Sequence, residues 1–328
     1  MKAGAFPFSV FRIFIYPIKY SKITVEKRNK YLTIKGNKMI KLLNEYLKER
    51  FGCKVYKLAL NGGFTCPNRD GKIDTQGCIF CSAGGSGDFA ESPDMTIHEQ
   101  IESGKKRVEK KIKNGKYIAY FQAYTGTYAP IDKLRKLYYD AVSHPDIVAI
   151  SIATRPDCLP AEVLDLLSEI RQIKPVWIEL GLQTIHEKSA KYIRRGYKLS
   201  VYDEAIKELK KRQIEVITHV IIGLPGEKVS DMTETVKYVC DAGTDGIKLQ
   251  LLHILKNTDL ARDYEQGLVH ALSEDEYIDI LKECTKVIPE NVIVHRLTGD
   301  GDKKILIAPM WSGNKKHVWN RIQKEVLV

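Results

Sequence analysis

The chain has 328 residues, 44% hydrophobic and 28% charged, which excludes a disordered or fibrous protein and indicates a globular one with a sizeable core. Seven cysteines at irregular spacings exclude the disulfide framework of a small secreted domain and point to a reducing, cytoplasmic setting with thiols in metal or redox use. The formal charge of +11 suggests nucleic acid, yet seven Lys and two Arg against one Glu place +8 of it in residues 1–38 and leave only about +3 for the rest.

The arm opens MKAGAFPFSVFRIFIYPIKY, apolar and aromatic. Arg12 interrupts the apolar run, no small-residue cleavage site follows, and the stretch is too short to span a bilayer, so neither a signal peptide nor a membrane segment is expected. Residues 1–38 read as a basic, poorly ordered arm, with three other readings open: RNA or partner contact, membrane contact, or an extension upstream of a start at Met39. The run MIKLLNEYLKERFG then predicts a helix across 39–54.

From residue 55 onward apolar, β-rich runs alternate with helical periodicity. Strands are predicted at VYKLAL (55–60), YIAYFQ (117–122), IVAISIA (147–153), VWIELGL (176–182), IEVITHVII (214–222) and GIKLQLL (246–252). Helices are predicted at MTIHEQIESGKKRVEKKIK, IDKLRKLYYDAV, PAEVLDLLSEIRQI, VYDEAIKELKKRQ and SDMTETVKYVCDAG. This repetition is that of βαβ units, and six in a row make an α/β fold with a parallel sheet, either a barrel or an open doubly wound sheet.

In such folds ligands collect at the C-terminal ends of the strands. The unusual residues fall there. Strand one runs into a cysteine loop, and strand two ends at Gln122, Tyr124, Thr125 and Gly126. Arg155 and Asp157 follow strand three, and Glu179 and Gln183 belong to strand four. Strand five brings His219 and Gly223; strand six brings Gln250, His253 and Lys256. Polar side chains inside strands are costly to bury without partners, so six sets in one topological place look like a site lining or a ladder of inter-strand hydrogen bonds.

The loop FTCPNRDGKIDTQGCIFCSAGG holds Cys66, Cys78 and Cys81, spaced C-x11-C-x2-C. A C-x2-C turn lets two sulfurs reach one centre, and Gly71 and Gly77 give the long excursion the freedom to return. Three readings stay open on spacing alone. An iron–sulfur cluster on three thiolates leaves one iron open; a structural zinc needs a fourth ligand, with His98 the nearest candidate; and three core cysteines need no metal. Cys53, Cys158, Cys240 and Cys284 are isolated and read as small buried hydrophobes.

With ALNGGFTCPNRDG, CIFCSAGGSGDFA, YFQAYTGTYAP, ATRPDCLP, ELGLQTIHEKSAKYIRRGY, HVIIGLPGE and HRLTGDGDKKILIAPMW, the chain resembles the radical S-adenosylmethionine (radical SAM) superfamily. Over residues 38–328 it is similar to the YhcC/YtqA-like members of the elongator catalytic-subunit branch. It departs in its basic arm and lacks the acetyltransferase-like domain of the elongator subunit, so no acetyl-CoA activity is implied.

The resemblance implies a partial (β/α)6 TIM-like barrel over 55–272 with a C-terminal α/β extension over 273–328. It implies a [4Fe–4S] cluster on Cys66, Cys78 and Cys81 whose open iron chelates S-adenosylmethionine, giving a 5′-deoxyadenosyl radical. Phe80 would lie against adenine, Tyr124, Thr125 and Gly126 would meet the methionine amino group, Glu179 and Gln183 the ribose, and Gly223 would let adenine approach. Arg155 would neutralise a carboxylate or phosphate, or else simply pair with Asp157. Tyr124, Arg155, His253 and Lys256 are the substrate-side candidates.

The implied substrate is the tRNA wobble uridine, for example 5-carboxymethylaminomethyluridine converted to 5-aminomethyluridine, with a low-potential donor such as flavodoxin or ferredoxin. GKKRVEKKIKNGK (104–116) and Arg194-Arg195 are candidate phosphate contacts, although a lysine-rich outer helix is equally a solvated face. The alternatives are a radical SAM enzyme acting on a small metabolite and a zinc-stabilised RNA-binding module.

Overall fold

The computed structural model describes residues 33–34 and 38–328, apart from 86, 88, 89, 113, 114, 300, 302 and 328. The expectation of a poorly ordered arm over 1–38 therefore lies almost wholly outside the described residues.

Two-residue strands β1 (Thr33–Ile34) and β2 (Lys38–Met39) pair antiparallel. The helix expected from residue 39 begins four residues later, as α1 (Leu43–Phe51). The cause is tertiary: Lys41 O accepts from Val294 N at 2.9 Å and Leu42 bridges to Val294, which holds 41–42 extended. Gly52, at φ +68°, caps α1 in a conformation costly to other residues and turns the chain into the sheet.

The predicted rhythm follows. β3 (Val55–Leu60), α2 (Ile97–Val108), β4 (Lys116–Phe121), α3 (Ile131–Ser143), β5 (Ile147–Thr154) and α4 (Ala161–Arg171) come first. Then come β6 (Val176–Gln183), α5 (Glu187–Tyr192), α6 (Leu199–Lys211), β7 (Glu215–Ile222), α7 (Val229–Asp241) and β8 (Gly246–Leu251). The C-terminal part adds β9 (Ile254–Leu255), α8 (Asp259–Glu265), α9 (Glu274–Lys286), β10 (Ile293–Arg296), β11 (Leu306–Ala308) and α10 (Lys315–Glu325). The second helix ends at Val108, short of its predicted end, although Ile112 one turn on is still buried in the core.

All seven long strands are parallel, in the order β3-β4-β5-β6-β7-β8-β10. The seventh was not predicted: the C-terminal segment inserts IVHR beside β8. The sheet curls into a half-barrel whose edge strands, β3 and β10, do not pair with each other. The short β9 and β11 form a separate antiparallel pair.

Strand alternation sorts the two faces. Leu58, Leu60, Phe121, Ile150, Ile152, Leu180 and Val216 belong to the main core beneath the helices. Val55, Ile118, Ala149, Trp177 and Ile217 form a smaller cluster with Leu47 of α1, flanked by Tyr46 and Phe51. Helix α1 thus plugs the N-terminal end of the half-barrel. Its Arg50 guanidinium donates to both oxygens of Glu215 on β7, at 2.6 and 2.8 Å. The inward positions above this plug form the site.

Candidate functional site

The cysteine loop folds back as its spacing requires. Arg69 N and Asp70 N both donate to Cys66 O, making a tight turn. Gly77, at φ +75°, donates to Asn68 O at 2.7 Å and so returns Cys78 to that turn. Cys81 N donates to Cys78 O at 3.0 Å, closing C-x2-C. Arg69 Nη2 ties the loop together by donating to the carbonyls of Cys81 and Ser82, at 3.0 and 2.6 Å.

All three sulfurs face a cavity of about 270 Å³ at the C-terminal ends of the strands. Burial pushes the Cys78 thiol up to about 11; the neighbouring Cys81 adds to this and the Arg155 cation opposes it. Arg69 lies within electrostatic reach of Cys81 and Cys66. Burial thus keeps Cys78 a neutral thiol, which gives up its proton when a metal centre takes the sulfur.

Among the described residues, no group of three or more His, Cys, Asp or Glu is drawn close enough to ligate a single metal ion. His98 lies on α2, its ring against His144 and its Nε2 3.4 Å from Ser143 Oγ. A tetrahedral zinc, which needs donors about 2.3 Å from one point, has no set here. A [4Fe–4S] cluster seats each thiolate on a different iron, so three sulfurs around one cavity mouth fit it. Cys158 and Cys284 are buried and Cys53 and Cys240 half-buried.

Phe80, Tyr124, Thr125, Arg155, Glu179, Gln183 and His253 line the same cavity; Gly126, Gly223 and Lys256 do not. Gly126 lies beneath the lining, where a Cβ would meet Ala153 O at 2.8 Å; its N donates to that oxygen. A Cβ on Gly223 would strike Leu272, and Lys256 is exposed beside the β9–β11 pair. Tyr124 sits at φ +56° and donates its hydroxyl to Ala83 O at 2.6 Å. Its ring leaves no room for a Cβ on Gly85, so that glycine is required for the packing.

Arg155 makes a two-pronged pair with Asp157, Nε to Oδ1 at 2.9 Å and Nη2 to Oδ2 at 2.7 Å, and stacks near the Tyr197 ring. The simple pairing is therefore present, at the cavity wall. Arg195 is buried and donates to Thr184 O and Tyr197 O, while Arg194 pairs with Asp259, so both arginines already hold internal partners. Lys105 and Lys116, from the run 104–116, both pair with Asp146.

Gln183 and Glu179 occupy alternate inward positions on β6 but differ in state. Gln183 is at φ +74°, and its Oε1 is buried without a hydrogen-bond partner. Asn68 Oδ1 is similarly unpartnered beside Cys78. Buried acceptors of this kind are expected where a polar ligand completes the site.

Glu179 is fully occupied. Lys57 Nζ (2.6 Å) and Ser151 Oγ (2.7 Å) donate to Oε1, while His219 Nε2 (2.8 Å) and Lys248 Nζ donate to Oε2. Lys248 also reaches Tyr120 OH at 3.3 Å, and Gln250 Nε2 donates to His219 Nδ1 at 3.1 Å. Burial alone would push the Glu179 carboxyl up, but Lys248, Lys57 and the His219 hydrogen bond outweigh it and hold the carboxyl well below its ordinary range. Burial takes Lys248 down to about 7, with Glu179 opposing and Lys57 and Arg296 adding. The ribose role implied for Glu179 thus meets a carboxylate with four donors already in place.

Sequence reasoning missed Lys57, Tyr120, Ser151 and Lys248. A signal existed: lysines in the centre of VYKLAL and GIKLQL, strands otherwise apolar. Beyond the mouth, Lys303, Lys315 and Lys316 line an open groove, and Lys315 also lines a hollow formed with Leu251 and Gly299 of the main cavity.

Comparison with known proteins agrees with this geometry. The sequence pattern of the radical SAM superfamily matches residues 66–239, and that of the radical SAM C-terminal domain matches 244–327. The chain is 48% identical to YtqA of Bacillus subtilis over 284 residues, 87% of this chain and 88% of that one. It is 24% identical to the tRNA uridine(34) acetyltransferase of Methanocaldococcus infernus over 164 residues, 49% of this chain and 30% of that one. The solved structure of Elp3 from M. infernus superposes with a TM-score of 0.62 at 17% identity, over 84% of this chain and 64% of that one, a likeness of fold.

A family match that starts at the first cysteine and runs through the helix after the fifth barrel strand, together with near-half identity to YtqA, leaves one conclusion: this chain belongs to the radical SAM superfamily, in its YtqA-like branch, and is an enzyme that uses a [4Fe–4S] cluster and S-adenosylmethionine.

Proposed function

We propose that this enzyme remodels the 5-substituent of the tRNA wobble uridine, for example converting 5-carboxymethylaminomethyluridine to 5-aminomethyluridine. The observation that carries the reading is the sequence relationship to a tRNA uridine(34) acetyltransferase, 24% identical over 164 residues. The lysine groove supports it, because Lys303, Lys315 and Lys316 offer a phosphate track, and Lys315 also lines the hollow that shares Leu251 and Gly299 with the cavity. An anticodon-loop base is cheaper to unstack than a paired one, so its substituent can enter a cavity of this depth.

In this reading Cys66, Cys78 and Cys81 hold the cluster and Arg69 and Arg155 balance the charge around it. When bound, the cluster supplies the electron that splits the sulfonium carbon–sulfur bond of S-adenosylmethionine and yields the hydrogen-abstracting 5′-deoxyadenosyl group. The chain's own residues bind and orient. Gln183 Oε1 accepts from a ribose hydroxyl, Phe80 packs on the adenine, and Thr125 faces the methionine amino group. The hydrogen removed lies on a carbon next to nitrogen, whose lone pair stabilises the carbon radical. Work in the reducing cytoplasm, with flavodoxin or ferredoxin as electron donor, completes the reading.

A second reading, a radical SAM enzyme acting on a small metabolite, is favoured by one observation: Arg194 and Arg195 are spent on internal pairs, and residues beyond the arm carry little net charge. Nucleoside mass spectrometry of total tRNA from cells with and without the gene separates the two. A changed wobble-uridine species is expected; unchanged tRNA overturns the first reading.

A further inference from the structure

We infer that the floor of the cysteine cavity is an anion subsite, where Lys248 receives a carboxylate borne by the substrate. The inference deepens the reading above and rests on it for the identity of the occupant: the carboxymethylaminomethyl group ends in a carboxylate.

A buried lysine, Lys248, and a half-buried one, Lys57, meet a single carboxylate, Glu179, whose side chain is 0% exposed, against 5% for Lys248 and 17% for Lys57. Both oxygens of Glu179 already hold donors, and beyond the Tyr120 and Trp177 rings no second carboxylate among the described residues meets either ammonium group. An ammonium has three N–H groups; Lys248 commits two, to Glu179 and Tyr120. Lys248, Glu179 and Tyr120 all line the cavity that the cysteines open onto, so the remaining donor lies at the bottom of the substrate path.

A buried uncompensated cation is costly, and a ligand carboxylate is the group that offsets it. A purely structural network would instead match its charges, since leaving one unpaired weakens the fold. The groups facing Lys248 are Lys57 on β3, Tyr120 on β4, Glu179 on β6, His219 on β7, and His295 and Arg296 on β10. His219 is neutral near pH 7, burial and Lys248 holding it down to about 4, and His295 is held well below its ordinary value by burial first. The cations that a carboxylate entering the cavity would meet are therefore Lys248 and Arg296, and burial takes Lys248 down to about 7 when no such partner is present.

The test uses full-length holoenzyme, anaerobic and saturated with S-adenosylmethionine. Its RNA probes are anticodon stem–loops carrying either 5-carboxymethylaminomethyluridine or 5-aminomethyluridine. The carboxylated RNA should bind about tenfold tighter or more. Lys248→Met, which keeps the volume, should erase that preference, and Lys248→Gln provides the same test should the first variant fail to fold. The preference should be full below pH 7 and shrink above it, as Lys248 loses its proton. An independent probe is N-methylglycine, which should protect Lys248 from acylation at pH 7.5, read by peptide mass spectrometry. Equal binding of both RNAs together with no protection overturns the subsite. Loss of S-adenosylmethionine affinity in Lys248→Met, with the RNA preference intact, assigns the lysine to the nucleotide and also overturns it. Protection by N-methylglycine without RNA discrimination keeps the subsite and removes the tRNA reading.

Discussion

His219 donates Nε2–H to Glu179 Oε2 across 2.8 Å while its Nδ1 accepts from Gln250, an arrangement that only a neutral ring can make. Burial, reinforced by Lys248 and opposed by Glu179, takes its pKa down to about 4. An unfolded histidine titrates near 6.5, so between about pH 6.5 and 4 the unfolded chain binds a proton that the native one excludes. Stability should therefore fall as the solution is acidified through that window. Urea midpoints at pH 7 and 5 will check this, and His219→Asn should flatten the dependence; an unchanged slope would assign it elsewhere.

Glu179→Gln leaves Lys57 and Lys248 without their counter-ion. Removing one partner from a buried pair costs on the order of 3–5 kcal/mol. Thermal or urea unfolding of the variant at pH 7 should show a loss of that size. A loss below about 1 kcal/mol, the size of an exposed pair, would mean that water reaches the floor freely.

Cys81→Ala should abolish 5′-deoxyadenosine formation and lower iron content while the far-ultraviolet circular dichroism stays the same. The cysteine sits in a loop, outside both core clusters beneath the sheet, so the fold has little to lose. Sustained turnover would contradict the assignment of the three thiols.

Gln183→Leu removes the unpartnered acceptor on the cavity wall. With one hydrogen bond worth about 1 kcal/mol net, affinity for S-adenosylmethionine should drop roughly fivefold while cluster content holds. Unaltered affinity in isothermal titration would show that the ribose contact lies elsewhere.

Replacing Lys303, Lys315 and Lys316 together by glutamate should weaken tRNA binding. It should also reduce the slope of log affinity against log salt by about 2, three phosphates at roughly 0.7 each. If the slope stays the same, the groove is not on the RNA path.

Much of this site was legible before the structure because buried parallel strands read as apolar runs. All six predicted strands recur within two residues of their expected ends. The cysteine turn was legible too, since Gly71 and Gly77 do take positive φ. What failed was direction. Gly223 lies near the right strand end yet meets Leu272, and Lys256 lies beyond the right strand yet points to solvent, because one residue of drift past a strand end decides which face is met. The lysine partners of Glu179 were invisible for another reason: Lys57 and Lys248 come from the first and sixth strands of the half-barrel, and only its curl brings them to one carboxylate. Strand β10, four residues arriving after a helix, had too short a pattern to announce itself.

The missing seam between β3 and β10 has a practical result. Helix α1 stoppers only the end of the half-barrel remote from the cysteines, so the slot beside the thiols is left as a doorway in the wall. A long polymer need not be threaded through such a doorway; it can lean a single unit inward and keep its bulk outside. Stapling the two edge strands together near that slot would narrow the entrance to small molecules.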